Sequence, residues 1–109
     1  MLYSARNGDM LTVHLHGELD HYCAQQIRRE LDELLRDSSI KALVLDFAQL
    51  TFMDSSGIGV ILGRYRTIRD RGGSMYVTHM NPHIARIFHM SGMDRVIMQI
   101  SMPQEVTVR

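Results

Sequence analysis

The sequence contains a single cysteine, Cys23, among its 109 residues. One cysteine excludes an internal disulfide and also a zinc site built from four cysteines. No apolar run approaches the length of a membrane span. The first ten residues carry charges at Arg6 and Asp9 and lack the apolar core of a secretory signal. These absences predict a reduced, cytoplasmic domain.

The sequence also lacks an excess of charge of either sign, because twelve basic residues balance twelve acidic ones. A neutral chain has no overall field that attracts nucleic acid or an anionic membrane, so neither is predicted as a partner. Lysine is nearly absent, since Lys41 is the only one and the other basic residues are arginines. The length and the 45% hydrophobic content favour one globular domain, residues 1–109.

Hydrophobic periodicity predicts alternating strands and helices, with period two for strands and spacings of three and four for helices. The predicted strands are 10–16, 40–47, 75–79 and 95–100, with a further one near 1–6, and the predicted helices are 24–35, 56–71 and 82–90. This order predicts an α/β fold with a small mixed β-sheet and helices packed mainly on one face. The functional surface should lie in the loops at the carboxyl ends of the strands, which are 17–22, 48–56 and 80–81.

The segment Met53-Asp54-Ser55-Ser56-Gly57-Ile58-Gly59 joins a predicted strand to a predicted helix. The simplest interpretation is helix capping, in which Asp54 or a serine accepts a hydrogen bond from a free N–H of the first turn. A functional interpretation stands beside it, because a hydroxyl at the positive end of a helix lies where phosphate is accommodated. Phosphoserine there would add about −1.5 to −2 charges to the surface. Spacing alone favours capping and leaves both interpretations open.

Several other motifs do not fit. A serine nucleophile elbow needs glycine two residues before the serine, whereas Met53 precedes Ser55 by two. A phosphate-binding P-loop needs Lys and then Ser or Thr directly after its last glycine, and Gly63 is followed by neither. Asp46 invites a phospho-aspartate interpretation that also requires a late lysine, but Lys41 precedes it. None of these three motifs is complete, while a histidine distant in the sequence stays open as a partner for a serine.

The remaining polar and small residues have structural interpretations. His14 and His16 share one face of a predicted strand, but two ligands do not make a site, so no metal is predicted. Gly59 and Gly63 lie one helical turn apart and are expected to allow close packing or room for a partner, so that Gly59→Val would cost packing. The arginines of the second helix are expected to form a solvated face: Arg64, Arg66, Arg69 and Arg71.

Several stretches of the sequence resemble the STAS domain of anti-sigma factor antagonists, in particular those of the anti-sigma-F type from sporulating bacteria. The stretches are 17–21, 42–47, 52–65 and 87–93. The block Asp54-Ser55-Ser56-Gly57 with the helix after it is the specific part, and the resemblance runs from about Leu11 to Val96. There are two departures: Cys23 stands where a capping hydroxyl is common, and the tail after Ser101 is short.

The resemblance implies a switch that is not an enzyme and has no cofactor of its own. The unphosphorylated domain would bind a nucleotide-bound anti-sigma factor that is also a serine kinase, and this binding would release a sporulation sigma factor for transcription. The kinase would phosphorylate Ser55, the product would dissociate, and a PP2C-type phosphatase would restore it. The resemblance places partner contacts at Glu18, Asp20, His21, Asp54, Ser55, Ser56, Gly57 and Ile58.

Two expectations qualify this hypothesis. Glu18 and Asp20 flank a strand end and are expected to be exposed, so that they contribute little to stability. The alternative function is a STAS module that binds a nucleotide or another small anion as a sensor, because some family members bind nucleotide. The phosphorylation state of Ser55 in the native cell discriminates between the two functions.

Overall fold

The structure is a computed structural model that describes residues 1–101. Five strands and three α-helices alternate along this part of the chain. The strands are β1 (Leu2–Asn7), β2 (Met10–Leu19), β3 (Ala42–Met53), β4 (Ser74–Thr78) and β5 (Met98–Gln99). The helices are α1 (Ala24–Leu34), α2 (Ser55–Asp70) and α3 (Pro82–Met90), followed by a short 3-10 helix, Met93–Arg95.

All five strands form one sheet in the order β1-β2-β3-β4-β5. Strand β1 runs antiparallel to β2, and the other neighbouring pairs are parallel. Each parallel connection moves in the same direction across the sheet, so right-handed crossovers place the three helices on the same face. The structure confirms the predicted mixed sheet and the further strand near the N-terminus.

One hydrophobic core lies between the sheet and the helices. Alternate residues of β3, namely Leu43, Leu45 and Phe47, are fully buried on the helix side. They belong to one cluster with buried residues of every helix, which are Ile27 and Leu31 of α1, Ile61 and Ile68 of α2, and Ile84 and Phe88 of α3. This shared cluster confirms helices packed mainly on one face.

Strands β2 and β3 extend further than their sequences predict, reaching Leu19 and Met53. The prediction that 48–56 is a loop was therefore largely wrong. The register between the two strands shifts between His14 and His16 and again between Gly17 and Glu18. Such bulges break the two-residue alternation by which a strand is recognised in a sequence.

The last predicted strand, 95–100, is shorter than expected. The 3-10 helix occupies its beginning, directly after Gly92 with its left-handed φ of 82°, and only Met98–Gln99 pair with β4. Ile97 is buried in the core, so an apolar residue that suggested a strand serves the connection instead. The tail from Met102 lies outside the described residues. Within residues 1–101, no helix is long and apolar enough to cross a membrane.

Candidate functional site

The candidate site lies where β2 and β3 end. Because the strands are parallel, their carboxyl ends meet at one edge of the sheet, with Leu19 opposite Met53. The loop 20–23 leads from β2 into α1, and Asp54 leads from β3 into α2. We call the predicted contact residues the strand-end site: Glu18, Asp20, His21, Asp54, Ser55, Ser56, Gly57 and Ile58.

Asp54 connects the two loops of this site through its carboxylate. The Ser56 N–H donates to Asp54 Oδ1 at 2.9 Å, which makes Asp54 the N-cap of α2. The His21 N–H donates to the other oxygen, Oδ2, at 3.2 Å. The capping interpretation of this segment is correct for Asp54, and the same carboxylate also holds the first loop against the start of α2.

The two serines have different surroundings. Ser55 is the first residue of α2 and is exposed, whereas Ser56 is half-buried. Since Asp54 accepts the free N–H of the first turn, the cap does not consume the Ser55 hydroxyl. A phosphate on Ser55 would lie at the positive end of a sixteen-residue helix, where negative charge is favourable.

Gly57 is the tightly packed glycine of α2. A Cβ at this position would lie 2.6 Å from Met53 Cγ and 2.8 Å from the Leu19 carbonyl oxygen. At Gly59 and Gly63, by contrast, an added Cβ would meet nothing within 4 Å. The expectation that Gly59 serves close packing was therefore wrong. Gly57 is buried and positions α2, while the neighbouring Ile58 is half-buried and packs against the core.

Asp20 is half-buried and structural, which corrects the expectation of an exposed side chain. The backbone N–H groups of Tyr22 and Cys23 both donate to its Oδ1, at 3.0 Å each. Desolvation raises the pKa of Asp20, but the N–H donors of Cys23 and Tyr22 outweigh it, so the pKa lies below its ordinary value. Cys23 itself makes no side-chain cap at α1. Asp20 therefore supplies the turn that the missing hydroxyl would have stabilised.

Three side chains at the end of β2 and in the loop after it are open to solvent: Glu18, His21 and Tyr22. Tyr22 is 89% exposed, and its ring lies edge-on to His21 with centroids 5.5 Å apart. Tyr22 was not among the residues predicted from the sequence. The only signal for Tyr22 in the sequence is its position, two residues after Asp20 in a loop at the end of a strand.

Arg64 was also misjudged, because it is not part of a solvated face. It is 9% exposed, and its Nε lies 3.0 Å from Asp32 Oδ1. Burial lowers the pKa of Arg64, Asp32 opposes this decrease, and Arg28 adds to it. The signal was present, since Arg64 follows the buried Ile61 by three residues and so lies in the apolar stripe of α2.

The prediction of a solvated face is correct for two of the other three arginines and wrong for the third. Arg66 and Arg69 are exposed, as predicted. Arg71 is half-buried and donates through Nη2 to the Leu35 carbonyl oxygen at 2.7 Å, which ties the end of α2 to the end of α1.

A second polar cluster lies on the sheet face opposite the helices. His14 Nδ1 donates to Asp46 Oδ2 at 2.7 Å, and His79 Nδ1 donates to Oδ1 at 2.9 Å. The Ala48 N–H also donates to Asp46, at 3.0 Å, as expected for a carboxylate that bonds the backbone. Burial raises the pKa of Asp46, yet these donors leave it below its ordinary value. No group of three His, Cys, Asp or Glu in residues 1–101 is arranged to hold a metal ion.

Comparison with known proteins identifies a family model and several proteins that are similar to this chain. Residues 4–106 match the family model of the STAS domain. The anti-sigma F factor antagonist of Paenibacillus polymyxa is 43% identical over 88 residues, which cover 81% of this chain and 75% of that protein. The anti-sigma F factor antagonist of Lysinibacillus sphaericus is 29% identical over 98 residues, 90% of this chain and 84% of that protein.

Solved structures agree with these sequence matches. The anti-sigma factor antagonist SpoIIAA in its unphosphorylated form superposes with a TM-score of 0.82 at 26% identity, covering 96% of this chain and 90% of that one. The Bacillus cell fate determinant SpoIIAA in its phosphorylated form gives 0.75 at 26% identity, covering 96% and 94%. The family model spans nearly the whole chain, and the fold agrees with that of the solved structures. The chain belongs to the STAS domain family.

Proposed function

We propose that this protein is an anti-sigma factor antagonist controlled by phosphorylation of Ser55, acting as a single domain in the cytoplasm. In its unphosphorylated form it binds an anti-sigma factor that is also a serine kinase with bound nucleotide, and the sporulation sigma factor is released for transcription. The observation that carries the proposal is Ser55 itself, exposed at the first residue of α2 with its hydroxyl left free by the Asp54 cap. The similarity to anti-sigma F factor antagonists supports the class of partner.

The surroundings of Ser55 support its role as the phosphate acceptor. The neighbouring Asp54 fixes the start of α2 and the first loop by two backbone hydrogen bonds, so the hydroxyl is presented on a rigid support. A kinase needs such an exposed hydroxyl, and the half-buried Ser56 offers a poorer one. The protein has no catalytic part in this step, since the kinase supplies the nucleotide.

Phosphorylation would change the surface more than the fold. The phosphate gains from the positive helix end, so α2 should remain intact. The same phosphate adds negative charge beside Asp54, in a strand-end site that already contains the acidic residues Glu18 and Asp20. A partner surface fitted to a neutral hydroxyl would then meet bulk and uncompensated charge, which costs binding energy. A PP2C-type phosphatase acting on phospho-Ser55 restores the binding form.

The residues of this region contribute to partner binding in two ways: some contact the partner directly, and others hold the loop and the helix start in shape. Glu18, His21 and Tyr22 are exposed and available to a partner. Asp20 and Gly57 act by shaping the loop and the helix start, because one caps backbone N–H groups and the other is buried. We therefore expect charge removal at Glu18 to weaken association without changing stability.

Incubation with the cognate anti-sigma factor and ATP, followed by peptide mass mapping, tests the proposal. The expected result is one phosphate on Ser55 in the wild type and in Ser56→Ala, and none in Ser55→Ala. Ser56→Ala is a matched control because it removes the adjacent hydroxyl. Phosphate on Ser56 with Ser55 unmodified would contradict the proposal.

A further inference from the structure

A groove runs between α1 and α2 and begins at the strand-end site. Its volume is about 500 Å³. Side chains of both helices line it, with a short stretch of α2 backbone between them: His21, Ala24, Gln25, Arg28, Ser56, Gly59, Val60, Gly63 and Arg64. His21 and Ser56 belong both to this groove and to the strand-end site, so the two surfaces are continuous. We call it the α1–α2 groove.

The groove has an excess of positive charge. Arg28 is exposed at its side, and Arg64 is nine-tenths buried at its wall. Asp32 Oδ1 lies 3.0 Å from Arg64 Nε, outside hydrogen-bond alignment, and it is the one carboxylate paired with either arginine among the described residues. Two guanidinium groups thus face one carboxylate, which leaves one positive charge unmatched.

Arg64 also has hydrogen-bonding capacity to spare. Its Nη1 is buried and has no hydrogen-bond partner within residues 1–101. Buried donors without partners are rare and cost free energy, so each one in a native protein calls for a reason. Arg64 also lines the groove, so an acceptor that enters the groove approaches a guanidinium group with donors to spare.

The two glycines keep the groove open. A Cβ at Gly59 or Gly63 would meet nothing within 4 Å, so neither residue is required for packing inside the domain. A glycine inside a helix is destabilising by about 0.5–1 kcal/mol relative to alanine. Two such positions on the same face of α2, with empty space in front of them, indicate that something outside the domain uses the space.

We propose that the α1–α2 groove receives an acidic side chain, Asp or Glu, of the anti-sigma factor, a step that rests on the function proposed above. A carboxylate fits the planar guanidinium fork, and it would pair with Arg28, which forms no ion pair within residues 1–101, beside the spare donors of Arg64. The interface is then two-signed, with the acidic strand-end site beside a basic groove. Opposite charges on adjacent patches admit a partner in one orientation only, because the reversed orientation places like charges together.

Charge reversal in α1 tests this proposal with a built-in control. Arg28→Glu changes a groove residue, whereas Arg29→Glu makes the same charge change at the next position, which is exposed and outside the groove. In titration calorimetry with the full-length anti-sigma factor and nucleotide, we expect Arg28→Glu to weaken binding more than tenfold and Arg29→Glu less than twofold. Equal effects of the two variants would overturn the proposal.

An uncharged substitution tests the groove without changing its charge and without unfolding the protein. Gly63→Leu fills the groove where an added Cβ meets no atom, two helical turns from Ser55. We expect it to melt at or above the wild-type temperature, to be phosphorylated less efficiently, and to bind the anti-sigma factor at least tenfold more weakly. A folded Gly63→Leu with wild-type affinity would overturn the proposal.

Inorganic phosphate provides the third arm, because a small anion is the competing occupant. If phosphate alone binds the isolated protein tightly through Arg28 and the anti-sigma factor binds Arg28→Glu normally, the groove belongs to a small anion and the proposal is wrong. If the wild type and both groove variants bind the anti-sigma factor equally well, the proposal for the groove is wrong and the function proposed for Ser55 stands. Absence of wild-type binding would overturn both.

Discussion

Two carboxylates of this protein, Asp54 and Asp46, are used differently. Asp54 accepts only from backbone N–H groups, one in the first loop and one in the first turn of α2, and the neighbouring side chains of Ser55 and His21 stay exposed. Asp46, whose side chain is 13% exposed on the other sheet face, accepts from the side chains of His14 and His79 as well as from the Ala48 N–H. The first carboxylate holds the backbone and leaves side chains exposed, whereas the second pairs side chains with each other.

The contrast between the two regions indicates where the functional residues of this domain lie. The Asp46 cluster contains the residue types of a catalytic or metal site, yet its polar groups satisfy one another. His79 even adopts a left-handed backbone with φ of 61°, a conformation that costs about 1 kcal/mol or more and is held here by its bonded surroundings. The strand-end site contains only ordinary residues, but it leaves the hydroxyl of Ser55 and the imidazole of His21 available to a partner, next to the exposed phenol of Tyr22.

We expect the greatest loss of stability at Gly57, the residue of the strand-end site that positions α2. Gly57→Val should destabilise the protein by about 3 kcal/mol or more, because the new side chain meets the Leu19 carbonyl oxygen, which cannot move aside. Gly59→Ala is the matched control and should stabilise by about 0.5–1 kcal/mol. Denaturant melts of the two variants measure both values. A tolerated Gly57→Val would show that α2 does not depend on this close approach.

The next effect tests the separation of the two regions. Asp46→Ala leaves the donors of His14, His79 and the Ala48 backbone without their acceptor, so we expect a loss of about 2 kcal/mol of stability. Affinity for the anti-sigma factor should stay unchanged when measured well below the melting temperature. A folded Asp46→Ala with impaired binding would erase the distinction between the regions.

A smaller loss of stability is expected at Asp20, which could serve the partner through the shape of the loop or through its charge. Asp20→Ala should lower the melting temperature, because the Tyr22 and Cys23 N–H groups lose their acceptor. Asp20→Asn should recover most of that loss, since asparagine forms such caps as well as aspartate does. If the shape of the loop is what the partner needs, Asp20→Asn also keeps most of the binding. Weak binding of both variants with normal stability would instead identify the charge as the contact.

The smallest effect concerns pH and is confined to the acid range. The pKa of Asp46 is lowered in the folded protein, so its contribution is present above the unfolded value of about 3.9 and is lost as the pH falls through the lower folded value. The free energy of unfolding should therefore decline below pH 4, and less steeply in Asp46→Asn. Identical acid slopes for the two proteins in urea titrations would contradict this assignment.

These distinctions show which parts of the molecule the sequence could predict. The order of strands and helices followed from periodicity, and the start of α2 followed from Asp54 as an N-cap residue. The ends of β2 and β3 could not be predicted, because bulges removed the alternation. Ser55 was identifiable only through the family resemblance, since spacing alone fits a cap as well.

The roles of individual side chains depended on contacts between distant segments. Asp20 was expected at the surface, but the turn toward α1 folds back over its carboxylate. Arg64 was assigned to solvent because arginines repeat along α2, although its position falls among the buried residues of that helix. The α1–α2 groove joins two helices that are separated in the sequence by β3, so no local pattern announces it.

Phosphate on Ser55 is expected to end partner binding without unfolding the protein. The most direct measurement is the affinity of the anti-sigma factor for the unphosphorylated and the Ser55-phosphorylated protein, each with its thermal melt. We predict a loss of at least a hundredfold in affinity, about 3 kcal/mol, with an unchanged melt. Full binding by the phosphorylated protein, or loss of binding only because the protein has unfolded, would contradict the account.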